Sequence, residues 1–186
     1  ITKPNTLHIC YLLTPTRYLW SHYNLYFRNP ILKFISRPIV NYLKNWDKIA
    51  SNRPDKIISI STEVSKRVKK YYGKISQIIF PPVDLFKNVE EKTEFREGKY
   101  YLVVSRLVPY KKVDLVVDTF NKLKLPLVIV GNGSELNNLM LRAKNNIKFI
   151  GKISDKELCE YYKGAKALIM AQEEDFGITA VEAQSY

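Results

Sequence analysis

Apolar and polar positions alternate along this chain in two blocks. In the second block, short apolar runs at 100–104, 127–130, 147–150 and 165–170 are separated by amphipathic stretches. Val113, Val116, Val117, Phe120 and Leu123 fall at helical spacing. A further helix opens at Ser134 and runs through Leu136, Leu139, Met140 and Ala143. Another is capped by Ser154, with Asp155 and Glu157 in its first turn and Leu158 and Tyr161 on its apolar face. Strands alternating with helices over short connections predict a parallel sheet with helices on both faces. The first block repeats the pattern less evenly. Residues 7–13 read as a strand ending at Thr14-Pro15. Residues 30–50 are helical in spacing, with Pro38 interrupting them. Residues 56–61 form a strand. Ser61 or Thr62 then caps a helix bearing Val64, Val68 and Tyr71, which Gly73 closes. A strand at 77–80 stops at Pro81-Pro82. Residues 87–99 are almost wholly charged or polar and mark the best boundary. The expected organisation is a domain at 1–86, a linker at 87–98 and a second domain at 99–186.

In parallel sheets of this kind ligands bind beyond the carboxyl ends of the strands. The loops after Val104, Val130, Ile150 and Met170 should therefore share one edge. The last of them holds the most chemistry: Glu173-Glu174-Asp175-Phe176-Gly177, followed by a helix that carries Glu182. A glycine turn into a helix offers free N–H groups and a dipole that favour an anion. Ionised Glu174 and Glu182 can only accept hydrogen bonds, which suits hydroxyl groups. A nucleotide sugar carries both a diphosphate and hydroxyls. The plainer alternative is an amphipathic helix whose glutamates are solvated. After Val104, Arg106 can fork onto phosphate oxygens and Lys111 adds a point charge, or both are simply solvated. Gly131-Asn132-Gly133 allows close backbone approach to a ligand, and equally suits an ordinary tight turn.

Composition narrows the classes. The chain has 186 residues, 46% hydrophobic and 26% charged, as in a globular protein. No apolar run approaches the roughly 20 residues of a membrane span. Cys10 and Cys159 are far apart and sit among apolar residues, which predicts buried free thiols and a reducing, cytoplasmic setting. No zinc, haem or acidic metal-binding motif is present in the sequence. The net charge of +12 is uneven. Residues 1–86 hold 14 Lys and Arg against 4 Asp and Glu, a balance of +10; residues 87–186 hold 16 against 14, a balance of +2. A basic first half implies an anionic partner, namely nucleic acid, lipid head groups or a phosphorylated substrate.

Taken together, these motifs resemble a retaining glycosyltransferase of family 4, with the GT-B architecture of two Rossmann-like domains. The similarity is greatest to the mannosyltransferase-like branch of polysaccharide biosynthesis. It is carried by the Glu-x7-Glu element at Glu174 and Glu182 and by Arg106-Leu-Val-Pro-Tyr-Lys111. Thr14-Pro15-Thr16-Arg17-Tyr18 and Pro81-Pro82-Val83-Asp84 add to it. The resemblance implies that 1–86 is the later part of an acceptor-side domain and 99–186 most of a donor-binding domain. Arg106 and Lys111 would then hold the diphosphate and stabilise the leaving group. Glu174 would contact hydroxyls of the transferred sugar. Phe176, Gly177 and Ile178 would offer backbone N–H groups, Glu182 would take the ribose hydroxyls, and Arg17 would face the phosphates or the acceptor. Gly131 is a further candidate for close approach to the ligand. The implied reaction is hexosyl transfer without a metal or other cofactor. The implied donor is GDP-mannose or a similar nucleotide sugar. The implied acceptor is a glycan or polyprenyl-diphosphate-linked glycan, met at the inner face of the cytoplasmic membrane. Two departures stand out. Leu13 occupies a place where many relatives have His, and the early part of the first domain and the last helices are expected to lie outside this chain.

Two other readings compete. A GT-B fold that binds nucleotide sugars without transferring them is motivated by Leu13. A basic nucleic-acid-binding module is motivated by the +10 first half with its Tyr and Trp residues. Against the latter, no RNA-binding or zinc-finger motif occurs, and the aromatic residues read as core.

Overall fold

A computed structural model describes residues 3, 5–27, 29–83 and 98–186. It divides into two compact units, Ile1–Pro82 and Val83–Tyr186. The expected linker at 87–98 lies outside the described residues except for Gly98, as does Asp84.

The first unit holds a parallel three-stranded sheet, ordered β1 (Ile9–Leu12), β2 (Lys56–Ser59), β3 (Gln77–Ile78). Cys10 lies opposite Ile57, and Ser59 opposite Ile78. A single turn, α1 (Tyr23–Tyr26), precedes the long helix α2 (Pro30–Ala50). Asn29 caps α2 by accepting from the N–H groups of Ile31 and Leu32, and Pro30 sits at the helix start, where its missing N–H costs nothing. Pro38 was expected to interrupt this segment, yet α2 runs continuously through it. The expected buried aromatics also need correction, because Phe34, Tyr42 and Trp46 on α2 are exposed. Only Val40 of α2 is buried. Helix α3 (Thr62–Tyr72) starts at Ser61, whose hydroxyl accepts from the Val64 N–H, and ends at Gly73 in the left-handed region. Asp47 ties α2 to its neighbours: its Oδ2 accepts from Trp20 Nε1 at 2.7 Å and Tyr72 Oη at 2.8 Å.

The second unit is a four-stranded parallel sheet. Its strands are β4 (Tyr100–Val104), β5 (Leu127–Val130), β6 (Ile147–Gly151) and β7 (Ala165–Leu168), in the spatial order β6-β5-β4-β7. Every position of β5 is buried, which is what a strand covered on both faces requires. Leu127 and Ile129 join the core formed with α4 (Val113–Leu123) and α5 (Leu136–Arg142). Val128 and Val130 point to the other face, toward Tyr162 on α6 (Asp155–Lys163). Helices on both faces of a parallel sheet are thus observed. Helix α5 begins later than expected, with Glu135 rather than Ser134 at its cap position and no side-chain cap. Helix α6 has a full capping box: Ser154 Oγ accepts from the Glu157 N–H, while Glu157 Oε2 accepts from the Ser154 N–H. The last helix, α7 (Ile178–Ala183), follows Gly177, whose φ of 85° is left-handed. Of the two free cysteines, Cys159 is buried as expected; Cys10 is only half-buried, since the face of β1 that carries it is incompletely covered.

Candidate functional site

The strand order fixes where a site can form. The chain leaves β4, adds β5 and then β6 on one side, and returns to place β7 on the other side of β4. Consecutive connections thus diverge at the carboxyl ends of β4 and β7, and a crevice opens at such a switch point.

The loop after β4 supplies its basic side. Leu107 is fully buried and anchors the loop, while Arg106 next to it is exposed. A single 3-10 turn, Pro109–Lys111, then leads into α4. Lys112 takes a left-handed φ of 51° between the two helical segments. Lys111 Nζ lies 5.7 Å from the centroid of the Tyr110 ring. The loop is stitched to the turn after β5. Leu107 N–H donates to the Asn132 carbonyl at 2.9 Å, and Glu135 N–H donates to the Leu107 carbonyl at 3.0 Å. This contact accounts for Gly131 and Gly133. A Cβ on Gly131, whose φ is 132°, would collide with the carbonyl oxygen of Ser105, and one on Gly133 with that of Leu107. The close approach that Gly131 allows is therefore to the Arg106 loop itself.

The loop after β7 supplies the acidic side. Lys111 Nζ donates to Glu174 Oε1 at 2.5 Å across the crevice, with the two side chains 16% and 24% exposed. Gln172 Nε2 donates to the same oxygen at 2.7 Å. Phe176 and Gly177 are half-buried beyond Glu174, and Ile178 is exposed. Glu182 lies on α7, and its Oε2 accepts from Tyr162 Oη at 3.0 Å. Burial and the neighbouring Glu182 carboxylate push the Tyr162 hydroxyl well above the usual phenol range, so it stays a donor. The Tyr186 ring stacks on Tyr162 with centroids 5.7 Å apart. Burial and a hydrogen bond to Cys159 raise Tyr186 to about 12.

The structure therefore brings Lys111 and Glu174 together, with Arg106 on the same loop as Lys111. It holds Glu182 against Tyr162. Arg17 belongs to the first unit, half-buried in the turn that follows β1. Leu13, at the carboxyl end of β1, is 62% exposed. Two residues that hold the carboxylates, Gln172 and Tyr162, were not foreseen from the sequence. Gln172 sits two positions before Glu174 and was visible as a polar neighbour. Tyr162 is twenty positions before Glu182, and only the fold pairs them. Among the described residues, no group of three or more His, Cys, Asp or Glu side chains could hold a metal ion.

A parallel α/β unit with an ion pair at its switch point belongs to the doubly wound class of fold, in which ligands bind beyond the carboxyl ends of the strands. The protein-family model for glycosyl transferases group 1 matches residues 86–186. The chain belongs to that family. An uncharacterized glycosyltransferase of Methanocaldococcus jannaschii is 26% identical over 144 residues, covering 73% of this chain and 39% of that protein. O-antigen chain mannosyltransferase C of Escherichia coli is 26% identical over 153 residues, covering 76% and 40% respectively. The chain thus spans about two fifths of the length of these curated relatives. Among solved structures, Anabaena HepE in complex with UDP and glucose superposes with a TM-score of 0.65 at 16% identity, covering 94% of this chain and 49% of that one. The lipopolysaccharide outer core galactosyltransferase WaaB gives a TM-score of 0.54 at 22% identity, covering 72% and 41%. These likenesses agree with the expected GT-B fold class, present here in part.

Proposed function

We propose that this chain is part of an enzyme that moves a hexosyl group, mannosyl by preference, from a nucleoside-diphosphate sugar to a lipid-linked or polysaccharide acceptor with retention of configuration. The observation that carries this reading is the Lys111–Glu174 pair at the β4/β7 switch point. It sets a cation for a diphosphate beside an acceptor for sugar hydroxyls, inside a group 1 glycosyltransferase unit. Support for a mannosyl donor comes from the likeness to the O-antigen mannosyltransferase. Support for a nucleotide diphosphate comes from the superposition on a protein solved with UDP and glucose.

In the proposed reaction, the bond from the anomeric carbon to the diphosphate oxygen breaks, and its electron pair stays on the diphosphate. The acceptor hydroxyl oxygen bonds to that carbon, and its proton passes to the departing diphosphate or to solvent. Charge separates as the sugar becomes oxocarbenium-like. Fixed cations stabilise the departing group without having to reorganise. Arg106 and Lys111 take that part without a metal ion or other cofactor, Glu174 holds the sugar, and Glu182 holds the ribose. Phe176, Gly177 and Ile178 line the approach with backbone N–H groups.

The proposed acceptor side is the first unit, with its basic excess, to which Arg17 belongs. Helix α2 presents Ile31, Ile35, Ile39, Tyr42, Trp46 and Ile49, all exposed and spaced three or four residues apart, on a helix that also carries Lys33, Arg37, Lys44 and Lys48. A basic helix with an apolar stripe fits the surface of an anionic membrane. No helix among the described residues is long and apolar enough to cross one. The test of the reading is release of nucleoside diphosphate by the full-length protein from UDP-, GDP- and ADP-hexoses in the presence of EDTA. Release from one of them, lost in Lys111→Ala, supports it; release from none counts against it.

A further inference from the structure

Two donors converge on one carboxylate oxygen in the crevice. Lys111 reaches Glu174 Oε1 from the loop after β4, and Gln172 reaches it from Glu174's own loop, at 2.5 and 2.7 Å. The orientation of the Gln172 amide is fixed by chemistry, since an ionised carboxylate only accepts and the amide nitrogen must face it. The donors differ in what else they can do. Lys111 is a mobile cation on a long stem, and an arriving diphosphate competes with Glu174 for it. Gln172 is neutral and offers the diphosphate far less. When Lys111 turns to the anion, Glu174 gives up that ion pair and keeps the Gln172 hydrogen bond, which limits the side-chain freedom it would otherwise regain.

We infer that Gln172 is a positioning residue that keeps Glu174 directed into the crevice while Lys111 exchanges the carboxylate for the ligand's diphosphate. This rests on the reading of the site given under Proposed function. The division of labour has a signature. Glu174 meets the sugar and Lys111 the diphosphate, so loss of the Gln172 donor is felt only when the sugar is present. A bond serving the loop alone would, when removed, weaken diphosphate and sugar nucleotide together.

The experiment uses the full-length protein as wild type, Gln172→Leu and Gln172→Glu, with melting temperatures to confirm folding. The second variant keeps the shape and replaces the donor by a second carboxylate, so it serves if the first fails to fold. UDP, GDP and ADP are titrated by calorimetry, and release of the diphosphate that binds is followed from its hexose conjugates. The expected result is affinity for the free diphosphate within about twofold of wild type, and turnover of the conjugate lowered about 10- to 100-fold, as for loss of one hydrogen bond to a charged group. Gln172→Glu should fall at least as far. Unchanged turnover, or an equal loss of diphosphate affinity, overturns the role of Gln172 and leaves the functional reading standing. Failure of the wild type to bind any diphosphate overturns both.

Discussion

Glu174 meets Lys111 and Gln172 through the same oxygen, so its charge is matched by a side chain from the neighbouring loop. A ligand must replace that pairing with something equal, and a diphosphate with sugar hydroxyls does so on both sides. Lys111→Ala is expected to weaken diphosphate binding about 10- to 100-fold, which is what one charged hydrogen bond contributes. Glu174→Gln removes the carboxylate that competes with the diphosphate for Lys111, so diphosphate affinity should hold or rise, while turnover of the sugar nucleotide falls because the hydroxyl side is weakened. Calorimetry and diphosphate release, run in parallel, read the two effects separately. Gly131 makes a different kind of prediction. Its φ of 132° and the Ser105 carbonyl beside it leave no room for a side chain. Gly131→Ala should cost about 1–3 kcal/mol in urea unfolding and displace the Arg106 loop, whether or not a ligand is bound.

Capping at the element scale is well defined by α6. Ser154→Ala removes an N-cap and should cost about 1 kcal/mol in denaturant unfolding. Glu157 answers to pH. Its hydrogen bonds to Ser154 hold its carboxyl below the ordinary value of 4.5. A folded-state value below the unfolded one means that the stabilisation is present above the unfolded value and is lost as pH falls through the folded one. The melting-temperature gap between wild type and Glu157→Ala should therefore be present at pH 6 and narrow below pH of about 4. Ser154 and Glu157 were legible in the sequence because capping is local, three residues apart. The strands β4 and β5 were legible for a related reason: both are continuously apolar, and β5 is buried at every position. Pro38 misled because a proline signals a break, while the rest of α2 is helical enough to run through it. The exposed aromatics of α2 misled because helical spacing reveals a stripe and not what covers it. The Tyr162–Glu182 contact was illegible, since only the packing of α6 against α7 creates it.

Considered as a whole molecule, the chain comprises two compact units, and its charge lies mostly on the first. Sequence order put Arg106 and Lys111 after β4 and Glu174 after β7, as the structure has them, because strand–loop–helix order determines which ends share an edge. They did not show that Lys111 and Glu174 would be joined, which follows from β7 returning beside β4. The proposed membrane contact belongs to this scale. Full-length protein should sediment with vesicles containing anionic lipid, less so at high salt and less so when Tyr42 and Trp46 of α2 are both changed to Ser; equal recovery with neutral vesicles would argue against it. The central claim is that the β4/β7 crevice holds a nucleoside diphosphate through Lys111. Calorimetric titration of the full-length protein and its Lys111→Ala variant with UDP, GDP and ADP, in EDTA, tests it most directly. The account predicts that one of the three binds the wild type and binds the variant at least about tenfold more weakly. Binding unchanged by the substitution, or no binding to the wild type, would contradict it.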